Sequence, residues 1–132
     1  NDAQVLRAGD FGKHLGVAFQ LVDDVLDYDG DAAVTGKSLF SDLREGKLTL
    51  PLILAVKESP GMIHDLERGR EGDEEACSRV LALVTKSSAC DEVRKRAKAE
   101  TTAALNALSL APESRAKELL AAVAIEMTAR IS

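Results

Sequence analysis

From Phe11 onward, apolar residues return at Leu15, Ala18, Phe19, Val22 and Leu26, the spacing of one stripe along an α-helix. This predicts a long helix from about Gln4 to Tyr28, with Gly12, Gly16, Gln20, Asp23 and Asp27 in a line opposite the stripe. Residues 29–48 break the period and read as a functional loop. Thr49 can cap the next helix, Pro51 is tolerated in its first turn, and Pro60-Gly61 closes it. A short helix over 61–68 ends at Gly69, and Gly72-Asp73 starts another that runs to about Lys86. Residues 91–108 carry a stripe of Val93, Ala97, Ala104, Leu105 and Leu108. Pro112 opens a last helix in which Ala116, Leu119, Leu120, Val123, Met127 and Ile131 keep the period. No alternating apolar–polar run survives beyond a few residues. The fold class is therefore all-α, and the Glu/Gly/Arg-rich stretch 67–75 reads as a loop rather than a domain boundary.

The polar positions of the first helix change the picture. Asp23 and Asp27 lie four residues apart and share a face, and Asp24 sits about 100° round from Asp23. Gln20 precedes Asp23 by one turn. Carboxylates this close repel one another and raise their own pKa values, a penalty that a divalent cation removes. Mg²⁺ suits such a site because it takes carboxylate and water oxygens and shares them with phosphates. A solvated acidic face is the alternative. It would more often carry Lys, Glu and Arg than two glycines, each costing about 1 kcal/mol relative to Ala inside a helix. Gly12 and Gly16 read better as room for something lying along the helix.

Within the loop, Gly and Asp at Asp29-Gly30-Asp31 are followed by Gly36-Lys37 and then by Asp42-Leu43-Arg44-Glu45-Gly46-Lys47-Leu48-Thr49-Leu50-Pro51. Lysines beside a carboxylate cluster can act as point charges for phosphate oxygens that a metal also holds. A glycine before each lysine lets the backbone turn sharply or approach a ligand.

Composition excludes several functions. The net charge of −5 and the lack of a basic stripe with interleaved aromatics argue against nucleic-acid binding. The cluster Arg94-Lys95-Arg96 with Lys98 reads as a solvated helix face. There is no run of about 18 apolar residues, so no transmembrane helix is expected. Cys77 and Cys90 lack metal-ligand spacing and read as reduced packing residues of a cytoplasmic protein. His14 and His64 read as isolated, and no Ser-His-Asp or Cys-His arrangement is visible.

The ordered set F-Q-x-x-D-D-x-x-D over 19–27, G-K at 36–37 and D-L-R-E-G-K-x-T-L-P over 42–51 resembles the second aspartate-rich region of the trans-isoprenyl (polyprenyl) diphosphate synthases. The match is dense over residues 9–56 and loose beyond. The resemblance implies an isoprenoid-synthase-type helical bundle. The reaction it implies is condensation of isopentenyl diphosphate with an allylic diphosphate, driven by Mg²⁺-dependent ionisation of the allylic partner. By the same resemblance Asp23, Asp24 and Asp27 are metal ligands and Gln20 binds substrate. Lys37 and Lys47 neutralise the departing diphosphate, and Asp42 supports the loop. A homodimer is implied for the full-length protein.

The family's first aspartate-rich motif lies upstream, and nothing in residues 1–18 matches it. The chain is therefore expected to be the C-terminal portion of a single synthase domain and inactive on its own. Two alternatives share the diphosphate chemistry. A non-catalytic regulatory subunit need not keep Asp23, Asp24, Asp27, Lys37 and Lys47 intact. A class I terpene cyclase is expected to carry an Asn/Ser/Glu metal triad downstream, and 60–132 offer none. A plain helical interaction module leaves the 36–47 segment unexplained.

Overall fold

The computed structural model describes residues 2–28 and 37–131, without the side chains at 37 and 38. The helices are α1 (Asp2–Leu26), α2 (Lys37–Arg44), α3 (Leu50–Glu58), α4 (Ile63–Arg70), α5 (Glu74–Lys86), α6 (Ala89–Ser109) and α7 (Arg115–Ala129), with a 3-10 turn at Pro60–Met62 before α4. No strand occurs among the described residues. The all-α class predicted from periodicity holds. The chain divides into one unit of residues 1–22 with 94–132 and a second of residues 23–93.

In the first unit, Phe11 of α1 packs with Ala104 and Leu108 of α6 and Ala124 of α7, flanked by Leu15, Leu105 and Ala121. His14, read as isolated, is not: its Nδ1 lies 2.6 Å from Glu100 Oε2. The apolar stripes mark the right helices but not always the buried face. On α1 Phe11, Ala18 and Val22 are buried, whereas Phe19 is 54% exposed. On α7 Ala124 and Met127 are buried, and Leu119, Leu120 and Val123 are exposed. The start of α7 also differs from expectation. Ser114, not Pro112, opens it, its Oγ accepting the Lys117 N–H at 3.1 Å. Of the basic cluster, Lys95, Arg96 and Lys98 are exposed and Arg94 is half-buried.

The second unit has its own core of Tyr28, Leu39, Leu43, Leu52, Ala55, Met62, Leu66, Cys77, Val80, Val84, Ala89 and Cys90. Both cysteines are free thiols there, as packing residues should be, and burial pushes the Cys77 thiol up, leaving it unreactive. Helix α2 was not expected, since 29–48 read as loop. It is short and exposes much of its surface, but Leu39 and Leu43 share one face and bury it against α4 and α5. The approach is close because α4 carries Gly69, where a Cβ would stand 2.9 Å from Cys77 Sγ and 3.1 Å from Leu43 Cδ1. The boundary at 67–75 is likewise more helical than read: α4 runs to Arg70 before the turn. Asp73 caps α5 as predicted, its carboxylate accepting the Ala76 N–H at 3.1 Å. Thr49 stands at the N-cap of α3 without a side-chain cap hydrogen bond.

Candidate active site

The last turn of α1 and the residue just after it carry three acids of the second unit. Asp23 is exposed, Asp24 is buried with 7% of its surface exposed, Asp27 is half-buried and Tyr28 is buried. The chain turns here through a Tyr28 N–H to Val25 carbonyl hydrogen bond of 2.9 Å. The end of α2 adds Asp42, half-buried, and Lys47, exposed.

These groups feel one another. The Asp27 carboxyl is pushed up to about 6, first by burial and then by the charges of Asp42, Asp23 and Asp24, with Lys47 opposing. Asp42 is also raised, by burial above all; Lys47 pulls it down while Glu45 and Asp23 push it up. Beneath them, burial drives the Tyr28 phenol upward, and Asp27 and Asp42 add to it. The Thr49 hydroxyl lies beside that phenol, and Thr49 Oγ1 is buried without a hydrogen-bond partner of good geometry. The result, among the described residues, is that Asp23, Asp24, Asp27 and Asp42, with Glu45 and Lys47 beside them, gather where α1 and α2 end, in a state of net electrostatic frustration.

The donor set is all oxygen, which fits a hard cation. Among the described residues no three His, Cys, Asp or Glu side chains form a ready-made cage for one ion.

Of the residues singled out from the sequence, Asp23, Asp24, Asp27 and Lys47 come together here. Gln20 is an exposed residue of α1 in the first unit. The side chain of Lys37 and all of Asp29, Gly30, Asp31 and Gly36 lie outside the described residues. Two contributors were underweighted. Asp42 reads in sequence as a loop residue, and only the α2 helix brings it back to Asp27. Tyr28 reads in sequence only as the end of the first helix, and the structure buries its phenol beside Thr49.

The family model described as Polyprenyl synthetase matches residues 1–85. The chain belongs to that family. It is 41% identical over 128 residues to an octaprenyl diphosphate synthase from Haemophilus influenzae, covering 93% of this chain and 38% of that protein. It is 45% identical over 112 residues to an all-trans-nonaprenyl-diphosphate synthase from Rhodobacter capsulatus, covering 83% of this chain and 34% of that one. Among solved structures it resembles a polyprenyl synthase from Caulobacter crescentus complexed with calcium and isoprenyl diphosphate. That likeness has a TM-score of 0.82 at 34% identity and covers all of this chain and 42% of the other. The chain thus spans about two fifths or less of the length of these relatives.

Proposed function

We propose that this chain is the C-terminal portion of a prenyltransferase that joins isopentenyl diphosphate to an allylic diphosphate and releases a longer trans-polyprenyl diphosphate. The observation that carries the reading is the gathering, among the described residues, of Asp23, Asp24, Asp27 and Asp42 about Lys47 at the ends of α1 and α2. Family membership supports it, as do the names of the relatives.

In this reading Asp23, Asp24 and Asp27 would hold Mg²⁺, directly or through water, and it would supply positive charge to the leaving diphosphate. By the resemblance, Lys47 and Lys37 would add positive charge for the same oxygens, and Gln20 would bind the substrate. The bond that breaks joins the allylic carbon to a diphosphate oxygen, and negative charge builds on that oxygen in the transition state. Cations fixed nearby therefore stabilise the transition state more than the ground state. The alkene of isopentenyl diphosphate attacks the allylic cation, and a proton then leaves, the departing diphosphate being its nearest base. None of this needs a nucleophilic side chain. The resemblance adds a homodimer, and free, buried cysteines suit a cytoplasmic setting.

The test is prenyl transfer measured with labelled isopentenyl diphosphate in the native protein that contains these residues. Asp23→Ala is expected to lower kcat/KM at least about tenfold, a loss of roughly 1.4 kcal/mol or more of transition-state stabilisation. Wild-type turnover in that variant removes Asp23 from the metal site. No transfer by the native protein, with any allylic primer, overturns the reading itself.

A further inference from the structure

We propose that Gly46 is a positioning residue: the left-handed cap it forms at the end of α2 folds Lys47 back over Asp42 and fixes where the site's cation stands. The inference rests on the reading above that Lys47 faces a diphosphate.

Helix α2 ends at Arg44, and Gly46 has φ +77°, the left-handed conformation that glycine adopts without strain. The Gly46 N–H donates to the Leu43 carbonyl at 3.1 Å and the Lys47 N–H to the Asp42 carbonyl at 2.8 Å. This paired 5→2 and 6→1 bonding is the Schellman cap. The motif brings the residue after the glycine back beside the residue five positions earlier, a pair that is usually apolar. Here the pair is Asp42 and Lys47, opposite charges. The cap is anchored as well as bent. Leu43, which supplies one of its two carbonyls, is fully buried and packs where Gly69 allows α2 close to α4 and α5. A Cβ on Gly46 would meet only Arg70 Nη2 at 3.6 Å, an ordinary contact. The demand for glycine is therefore conformational, not steric.

The chain contains its own control. Helix α4 ends in Arg70-Glu71-Gly72-Asp73, nearly the letters of Arg44-Glu45-Gly46-Lys47. Gly72 has φ +101°, its N–H donates to the Gly69 carbonyl at 3.1 Å and the Asp73 N–H to the Arg68 carbonyl at 3.0 Å. The backbone device is the same, but its cargo is the N-cap of α5 and not a cation at the acids.

The experiment titrates inorganic diphosphate with Mg²⁺ into the full chain by calorimetry, with a thermal melt of each variant. Gly46→Ala is expected to weaken diphosphate binding about as much as Lys47→Ala, on the order of fivefold or more. Gly46→Asn, which tolerates the left-handed region, is expected to keep most of the affinity. In the Lys47→Ala background Gly46→Ala should add less than about twofold, because both changes remove one interaction. Gly72→Ala should lower the melting temperature comparably and leave diphosphate affinity alone. A variant with an untouched cap covers the case in which Gly46→Ala does not fold. Lys47→Ala with Leu48→Lys keeps the charge one residue along at an exposed position, and is expected not to recover binding. Recovery there, or normal binding by Gly46→Ala beside a weak Lys47→Ala, overturns the positioning role. Normal binding by Lys47→Ala itself overturns the site reading together with it.

Discussion

Asp27 holds its proton to a pH at which an exposed aspartate has long lost it. Its carboxyl sits at about 6 against an ordinary 3.8, raised by burial and by Asp42, Asp23 and Asp24. Between those two values the folded chain binds more protons than the unfolded one, so stability falls as pH rises through the window. Asp42 is shifted in the same direction and adds to the slope. In metal-free buffer with a chelator, the melting temperature should therefore decline between pH 4 and 6, and Asp27→Asn should flatten that decline. An unchanged slope in Asp27→Asn means the burial and charge around it do not act as described. The acids themselves were legible in the sequence, because helical spacing alone puts Asp23 and Asp27 on one side. The part played by Asp42 was not. It depends on a helix that brings residue 42 back to residue 27, and periodicity within 29–48 is too short to announce one.

The start of α5 was legible, since Gly72-Asp73 opens it and Asp73 caps it, whereas α4 runs past Gly69 to Arg70. What failed were the starts and ends where two signals compete. Pro112 and Ser114 could each open α7, and the hydroxyl that accepts a backbone N–H is the one that does. Thr49 has the right residue type for a cap, yet its hydroxyl turns inward toward Tyr28. Helix-to-helix approach is also invisible in sequence, and Gly69 is the instance that matters. It looked like a helix terminator but is the close contact between α4, α2 and α5. Gly69→Ala gains helix propensity of about 1 kcal/mol but drives a Cβ to 2.9 Å from Cys77 Sγ and 3.1 Å from Leu43 Cδ1, an overpacking cost of about 1–3 kcal/mol. The melting temperature should fall. Adding Cys77→Ala removes the tighter contact, so the double variant should lose less than the two single losses combined. A rise in melting temperature for Gly69→Ala alone would show that α2 has room to move.

At the scale of the molecule, an apolar stripe tells which face of a helix shuns water, not what covers it. Phe19, Leu119, Leu120 and Val123 belong to predicted stripes and stand exposed in a chain that spans 38% of its Haemophilus relative. The gathered acids have a consequence for the whole fold that can be measured without turnover. The chain has a net charge of −5, and four carboxylates meet where α1 and α2 end. Inorganic diphosphate alone should be repelled there and barely change the melting temperature. Mg²⁺ alone should relieve part of the carboxylate repulsion and raise it a little. Together they supply each other's missing ligands: the metal gives diphosphate a cation to bind, and diphosphate oxygens join the carboxylates in its coordination sphere. At about 100 times the dissociation constant the pair should stabilise the folded state by about 2.7 kcal/mol, since it binds the native chain and not the unfolded one. The gain should exceed the sum of the separate effects, and it should shrink in Lys47→Ala and in Asp27→Asn. Hydrogen exchange should slow within residues 23–93, where the acids lie, and least in residues 1–22 and 94–132. Equal shifts from Mg²⁺ alone and from the pair would mean that the acids bind the metal without a diphosphate, and the ends of α1 and α2 would then be a plain cation site.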